Sequence, residues 1–227
     1  MIIGGLQKSS LIDFPEKISA IIFTQGCNFC CGYCHNPELL KTKETTFSLE
    51  DIYNFLETRK AKLDGVVITG GEPTLHKDLK NVVQKIKNMD YAVKLDTNGT
   101  NPKMLKELMQ KDLLDYIAMD IKAPLDKYDK VTGVNVDTQK IKDSIDLIKS
   151  SNVEYEFRTT VLKCFLSIND IYDIGNTIRG AKKYYLQKFL ATKPYNESLK
   201  DENNYTDDEF ECIIKELRSK IKFVGLR

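Results

Sequence analysis

Four of the chain's six cysteines fall within eight residues, in TQGCNFCCGYCHN at 24–36. Two ligand sets compete there. Cys27, Cys31 and Cys34 form C-x3-C-x2-C, while all four, with Cys30, form two overlapping C-x2-C pairs. A structural zinc takes four ligands in a closed tetrahedron. Zinc ribbons usually separate their paired cysteines by about a dozen residues or more. Here the pairs stand back to back, and adjacent Cys30 and Cys31 would both have to bend onto one ion. Three cysteines on a compact loop suit an iron–sulfur cluster better. Clusters normally take four thiolates, so three leave one iron open for a small molecule. Cys30 then points away. A zinc-stabilised interaction module is the non-enzymatic alternative.

Further groups with chemical potential sit beyond the loop. Glu72 follows Gly70 and Gly71 in ITGGEPT (68–74), where paired glycines let backbone approach a ligand closely. The segment lacks the Lys-Ser/Thr ending of a phosphate loop. Asp96 and Asp120 each close an apolar run. Lys122 carries a charge suited to a carboxylate, and Arg158 falls mid-strand, where an unpaired charge is costly, so it is expected to face a polar mouth. His35 adjoins the cysteines and is placed to tune a bound group through hydrogen bonding, whereas His76 reads as a loop residue. Cys164 and Cys212 read as ordinary part-buried thiols. With neither a triad nor a paired carboxylate site, hydrolysis has little support. The groups suit a cofactor that brings its own reactivity.

Something must hold these residues together, and the pattern supplies it. Strand candidates at 17–24, 65–71, 91–100, 116–124, 153–162 and 185–195 alternate with helical patterns at 48–60, 78–89, 104–114, 137–151, 168–184 and 206–220, and 221–226 adds a possible last strand. Ser48 with Asp51 has capping-box spacing. Six strand-then-helix units imply an α/β fold with a parallel sheet and outer helices. No linker, low-complexity tract or repeat divides the chain, so residues 1–227 read as one domain. Ligands of such sheets sit at the carboxyl ends of the strands, and the marked residues gather at that edge.

Composition narrows the function. The 227 residues are 41% apolar and 30% charged, with 34 Lys+Arg against 33 Asp+Glu. This balance argues against a general nucleic-acid binder. No apolar run is long enough for a membrane span, and the opening residues lack the form of a secretory signal. The expectation is a cytoplasmic protein, where thiols stay reduced and clustered cysteines serve metals or catalysis.

C-x3-C-x-(aromatic)-C, here with Tyr33, resembles the signature of the radical S-adenosylmethionine enzymes, and ITGGEPT resembles their Gly-Gly-Glu segment, which meets the methionyl amino group. The resemblance implies a partial (βα)6 barrel, a 4Fe–4S cluster on Cys27, Cys31 and Cys34, and S-adenosylmethionine on its open iron. LDTNG (95–99), DIK (120–122) and KPYN (193–196) resemble blocks of the subgroup that activates glycyl radical enzymes. From that likeness Asp96, Asp120 and Thr97 are expected near the ribose or a monovalent cation, Lys122 at the methionyl carboxylate, and Tyr33, Gly70, Gly71, Glu72, Asn98, Arg158 and Asn196 around the cofactor. The implied activity is reductive cleavage to methionine and a 5′-deoxyadenosyl radical, which takes hydrogen from a glycine of a partner. The opening residues and DYIAMDIKAP resemble the activating protein of anaerobic ribonucleoside-triphosphate reductase, with flavodoxin or ferredoxin as electron donor. Alternatives are activation of another glycyl radical enzyme, of the pyruvate formate-lyase type, or radical chemistry on a small molecule. Cys30 and Asn196 depart from the subgroup, where Arg and His are common.

Overall fold

The computed structural model describes residues 1–43, 47–190, 195–201 and 204–227, the last two side chains of the third segment excepted. Eight strands form one sheet in chain order. β1 (Ile3–Ser10) runs antiparallel to β2 (Ser19–Thr24). β3 (Gly65–Gly70), β4 (Ala92–Thr97), β5 (Tyr116–Asp120), β6 (Glu154–Val161), β7 (Lys183–Lys188) and β8 (Phe223–Leu226) then follow β2 in parallel. β1 and β8 remain the two edges, so the sheet curls into a partial barrel that does not close.

The crossovers carry α1 (Leu49–Glu57), α2 (Leu79–Lys87), α3 (Pro102–Gln110), α4 (Tyr128–Thr132), α5 (Thr138–Lys149), α6 (Ile168–Thr177) and α7 (Asp207–Leu217). Their starts follow from local chemistry. Ser48, Ser167 and Thr206 each form a full capping box, with Asp51, Asp170 and Glu209 returning the hydrogen bond. Pro102 opens α3 behind an Asn101 cap.

Period-two alternation divides the strands between two environments. Val93, Leu95, Ile117, Met119, Tyr155, Phe157, Tyr184 and Leu186 pack in the large core that also holds Ile52, Leu79, Ile86, Leu105, Ile145 and Phe210 from the helices. The intervening residues face the lumen. On β2 and β3 these are apolar: Ile21 and Val67 cluster with Phe14 and Tyr116. On β4, β5, β6 and β7 they are Lys94, Asp96, Asp120, Glu156, Arg158 and Gln187. A polar half-lumen is thus built into the strand sequences.

Three elements differ from the expectation. β1 is an added antiparallel strand whose two glycines and polar tail hide its alternation. α4 is a single short turn. α6 ends at Thr177 rather than near 184, because Gly180 adopts a left-handed φ of 82° and the chain turns; β7 accordingly starts earlier. The C-terminal part of the expected strand 185–195, at 191–194, lies outside the described residues, as do Lys193 and Pro194.

Candidate active site

At the carboxyl ends of the strands lies a cavity of 380 Å3. Cys27, Cys31, Tyr33, Cys34, Gly70, Gly71, Glu72, Asp96, Thr97, Asn98, Asp120, Lys122 and Arg158 all line it. Asn196 does not: its side chain accepts hydrogen bonds from Ser198, while its backbone N–H holds Gly32 O at 2.8 Å. From outside the lining, the Asn196 main chain braces the cysteine loop.

That loop is held from several sides. Gly26 N–H donates to Leu39 O at 2.8 Å, Cys27 N–H to Leu40 O at 3.1 Å, and Cys30 N–H to Thr132 O of α4 at 2.8 Å. Phe29 meets Tyr128, and Tyr33 meets Phe165, with ring centroids 6.4 and 6.1 Å apart. The four loop cysteines form no disulfide; Cys31 is buried and Cys30 is exposed, outside the cavity lining. Burial pushes the Cys27 thiol up to about 12 and raises Cys31 and Cys34 as well, while the Lys122 charge pulls all three back toward thiolate. The Tyr33 hydroxyl is buried without a well-formed hydrogen bond, beside Cys31.

This donor set fits a cluster. Cys27, Cys31 and Cys34 are three thiols on one cavity wall, and the polar groups beside them leave room for a second molecule.

The Gly-Gly-Glu segment packs tightly through its backbone. Gly70 has φ of 112°, and a Cβ there would lie 2.4 Å from Thr24 N and O; one on Gly71 would lie 2.2 Å from Gly26 O. Glu72 is fully buried. Its carboxylate accepts from Thr74 N–H and hydroxyl, from Thr97 Oγ1 at 2.8 Å and from Asn98 N–H at 2.6 Å. Burial raises its pKa against those four bonds. Glu72 thus ties its own loop to the loop after β4 while still lining the cavity.

Charges alternate across the lumen wall. Lys94 Nζ contacts Asp96 at 2.5 Å; Arg158 reaches Asp96 at 3.1 Å and Asp120 at 2.8 Å; Lys122 Nζ contacts Asp120 at 3.0 Å. Burial alone would raise both carboxyls, but the Arg158 charge, with Lys94 at Asp96 and Lys122 at Asp120, holds each below the usual range. Pattern reading overlooked Lys94, Thr69, Phe23, Phe29, Thr160 and Gln187, which complete these surfaces. Strand alternation is the signal that finds most of them. His35 stacks on Phe189 at 5.7 Å, and burial, then Lys122, lowers its pKa. His76 does more than occupy a loop: its Nε2 meets Gln25 O at 3.0 Å, just before the cysteines.

The profile of the Radical SAM superfamily matches residues 21–174. The chain belongs to the radical SAM superfamily. As in that superfamily, its cofactors are a 4Fe–4S cluster and S-adenosylmethionine. Two relatives from Methanocaldococcus jannaschii are each inferred to be a glycyl-radical enzyme activating enzyme. One is 38% identical over 88% of this chain and 84% of its own length; the other is 33% identical over 81% and 74%. Among solved structures, SuiB of Streptococcus suis bound to the precursor peptide SuiA superposes with a TM-score of 0.70 at 16% identity, over 90% of this chain and 47% of that one. The radical SAM chain thus spans under half of SuiB. A domain of a pyruvate-formate lyase-activating enzyme from Bacteroides vulgatus superposes with a TM-score of 0.53 at 16% identity, over 70% and 98%. These likenesses bear out the partial barrel. No helix among the described residues is long and apolar enough to cross a membrane.

Proposed function

We propose that this radical SAM enzyme activates a glycyl radical enzyme, reading residues 1–227 as one radical SAM domain with anaerobic ribonucleoside-triphosphate reductase as partner. The observation that carries the reading is the split within the cysteine loop: Cys27, Cys31 and Cys34 line the cavity that Gly70 and Gly71 border, and Cys30 does not. The activating-enzyme relatives support the choice of substrate class.

When bound, the cluster and S-adenosylmethionine supply one-electron reduction and hydrogen-atom abstraction; flavodoxin or ferredoxin is the proposed donor. Everything else falls to the chain. Cys27, Cys31 and Cys34 give up their protons to become ligands. Lys122, held against Asp120, presents a cation to the methionyl carboxylate. Gly70 and Gly71 let main chain reach the amino group. Asp96 and Asp120 fix Arg158 between them and would border the ribose or a monovalent cation. Ile21, Phe23 and Phe29 line the apolar side of the cavity. The gap between β1 and β8 admits a glycine-bearing loop. A cytoplasmic setting, with reduced thiols, suits this chemistry.

A second chamber of 610 Å3 under the cavity, lined by Lys94, Glu156, Tyr185 and Arg227, favours a small-molecule substrate as the competing reading. Anaerobic reconstitution with reductant, S-adenosylmethionine and the reductase decides between them. A glycyl-radical EPR doublet on the reductase is expected. Cleavage of S-adenosylmethionine with no radical on any glycyl radical enzyme would favour the small molecule.

A further inference from the structure

Asn28 lies inside the cysteine loop yet outside the cavity lining, and its amide makes one hydrogen bond through each of its ends. Its Nδ2 donates to Thr100 Oγ1 at 2.9 Å, and its Oδ1 accepts from Asn98 Nδ2 at 2.9 Å. Thr100 Oγ1 in turn donates to Asn98 Oδ1 at 2.7 Å. The three side chains close a ring of three hydrogen bonds. The ring joins the cysteine loop to the loop after β4.

That second loop is itself immobilised. Asn98 N–H donates to Glu72, Thr100 N–H returns to Asn98 Oδ1 at 3.0 Å, and Ser144 Oγ of α5 donates to Gly99 O at 2.7 Å. Gly99 has φ of 78°, and a Cβ there would fall 2.0 Å from Met119. The Glu72 N–H also reaches back to Gly26 O at 2.8 Å, at the start of the cysteine loop. Two routes therefore connect the thiols to the main chain expected to hold S-adenosylmethionine: one through Glu72, one through Asn28.

We propose that Asn28, Asn98 and Thr100 are positioning residues: their ring sets the cysteine loop before a cluster arrives and couples occupancy of the cluster site to occupancy of the S-adenosylmethionine site. This rests on the cluster reading of Cys27, Cys31 and Cys34. Physically, a loop already ordered forfeits less conformational entropy on binding, and a shared hydrogen-bonded element lets either ligand bias the other, reciprocally. Outer hydrogen bonds to ligand-bearing segments commonly matter by about ten- to a hundredfold in metal affinity.

Thr100→Val removes the hydroxyl at nearly constant shape, and Thr100→Ser restores it. Asn28→Ala serves as the second variant, at an exposed position that places folding at little risk. On reconstituted full-length protein, the rate of cluster loss to an iron chelator is followed with and without S-adenosylmethionine. The ring predicts slower loss with S-adenosylmethionine in the wild type. Loss in Thr100→Val and Asn28→Ala should be about tenfold faster, with the protection by S-adenosylmethionine reduced, and Thr100→Ser should match the wild type. Equal rates and equal protection in all four proteins would overturn the proposal. Hydrogen exchange on metal-free protein provides an arm independent of the cluster. Amides of 27–34 should be protected in the wild type and in Thr100→Ser and released in the other two; uniform fast exchange would overturn the ring's role. A wild type that never acquires a cluster, yet shows this exchange pattern, would refute the functional reading while leaving the ring's ordering of the loop supported.

Discussion

The thiols of Cys27, Cys31 and Cys34 start from an unfavourable place for ligands, since burial favours their protonated forms. Lys122 is the cation that works against this. Replacing any one of the three by Ala should abolish cluster binding, measured as bound iron and sulfide, whereas Cys30→Ala should retain both. Lys122→Met should weaken S-adenosylmethionine binding about tenfold or more, read by titration of the reconstituted protein, because a desolvated carboxylate loses its charged partner. Asp96 and Asp120 carry a pH signature. Their carboxyls are depressed in the folded protein, so the unfolded chain takes up protons first as pH falls. The stability they contribute is complete above about pH 4 and is lost progressively below it. Denaturation midpoints recorded from pH 6 downward should show that loss, and Asp120→Asn should flatten it, at the cost of lower stability at neutral pH. That Cys30 and Cys31 are not equivalent was legible, because neighbours on a short loop project differently; which of them serves as a ligand rests on the likeness of the motif. The role of Glu72 was not: sequence marks a carboxylate after two glycines but not that four protein donors already satisfy it.

At the level of elements, the strand-to-loop junctions hold the site, and glycine decides their shape. Gly71→Ala would drive a Cβ to 2.2 Å from Gly26 O. We expect a loss of about 1–3 kcal/mol in unfolding free energy, measured by denaturant titration, with displacement of the cysteine loop and lower iron content. Gly70→Ala adds a left-handed φ to a comparable clash. The helices were readable because capping boxes are local: Ser48 with Asp51, Ser167 with Asp170 and Thr206 with Glu209 each lie three residues apart. The end of α6 was harder, since INDIYDIGNTIRG keeps apolar spacing past Thr177 and only the left-handed turn at Gly180 breaks it. β1 is hard to see in the sequence because its two glycines and polar tail mask the alternation and its register with β2 shifts twice.

For the whole molecule, the consequential feature is a sheet with two edges. An open barrel exposes its lumen, and this lumen is polar on β4 to β7 and apolar on β2 and β3. Alternation in the strands encodes that division, but its use depends on curvature that no local pattern reports. β8 is tied to the wall by Arg227, whose guanidinium pairs with buried Glu156 at 2.8 and 3.0 Å and lies 3.5 Å over the Tyr185 ring. Arg227→Met should leave Glu156 with Tyr116 alone, costing about 2 kcal/mol in a denaturant midpoint and raising hydrogen exchange in β8 before the other strands. The central claim is that three thiolates hold a 4Fe–4S cluster with one iron open to S-adenosylmethionine. It is tested most directly by the EPR spectrum of the reduced, reconstituted protein before and after S-adenosylmethionine is added. The account predicts a cluster signal that changes on addition in the wild type and in Cys30→Ala, and no cluster signal in Cys31→Ala. A signal that S-adenosylmethionine leaves unchanged, or one that persists in Cys31→Ala, would contradict it.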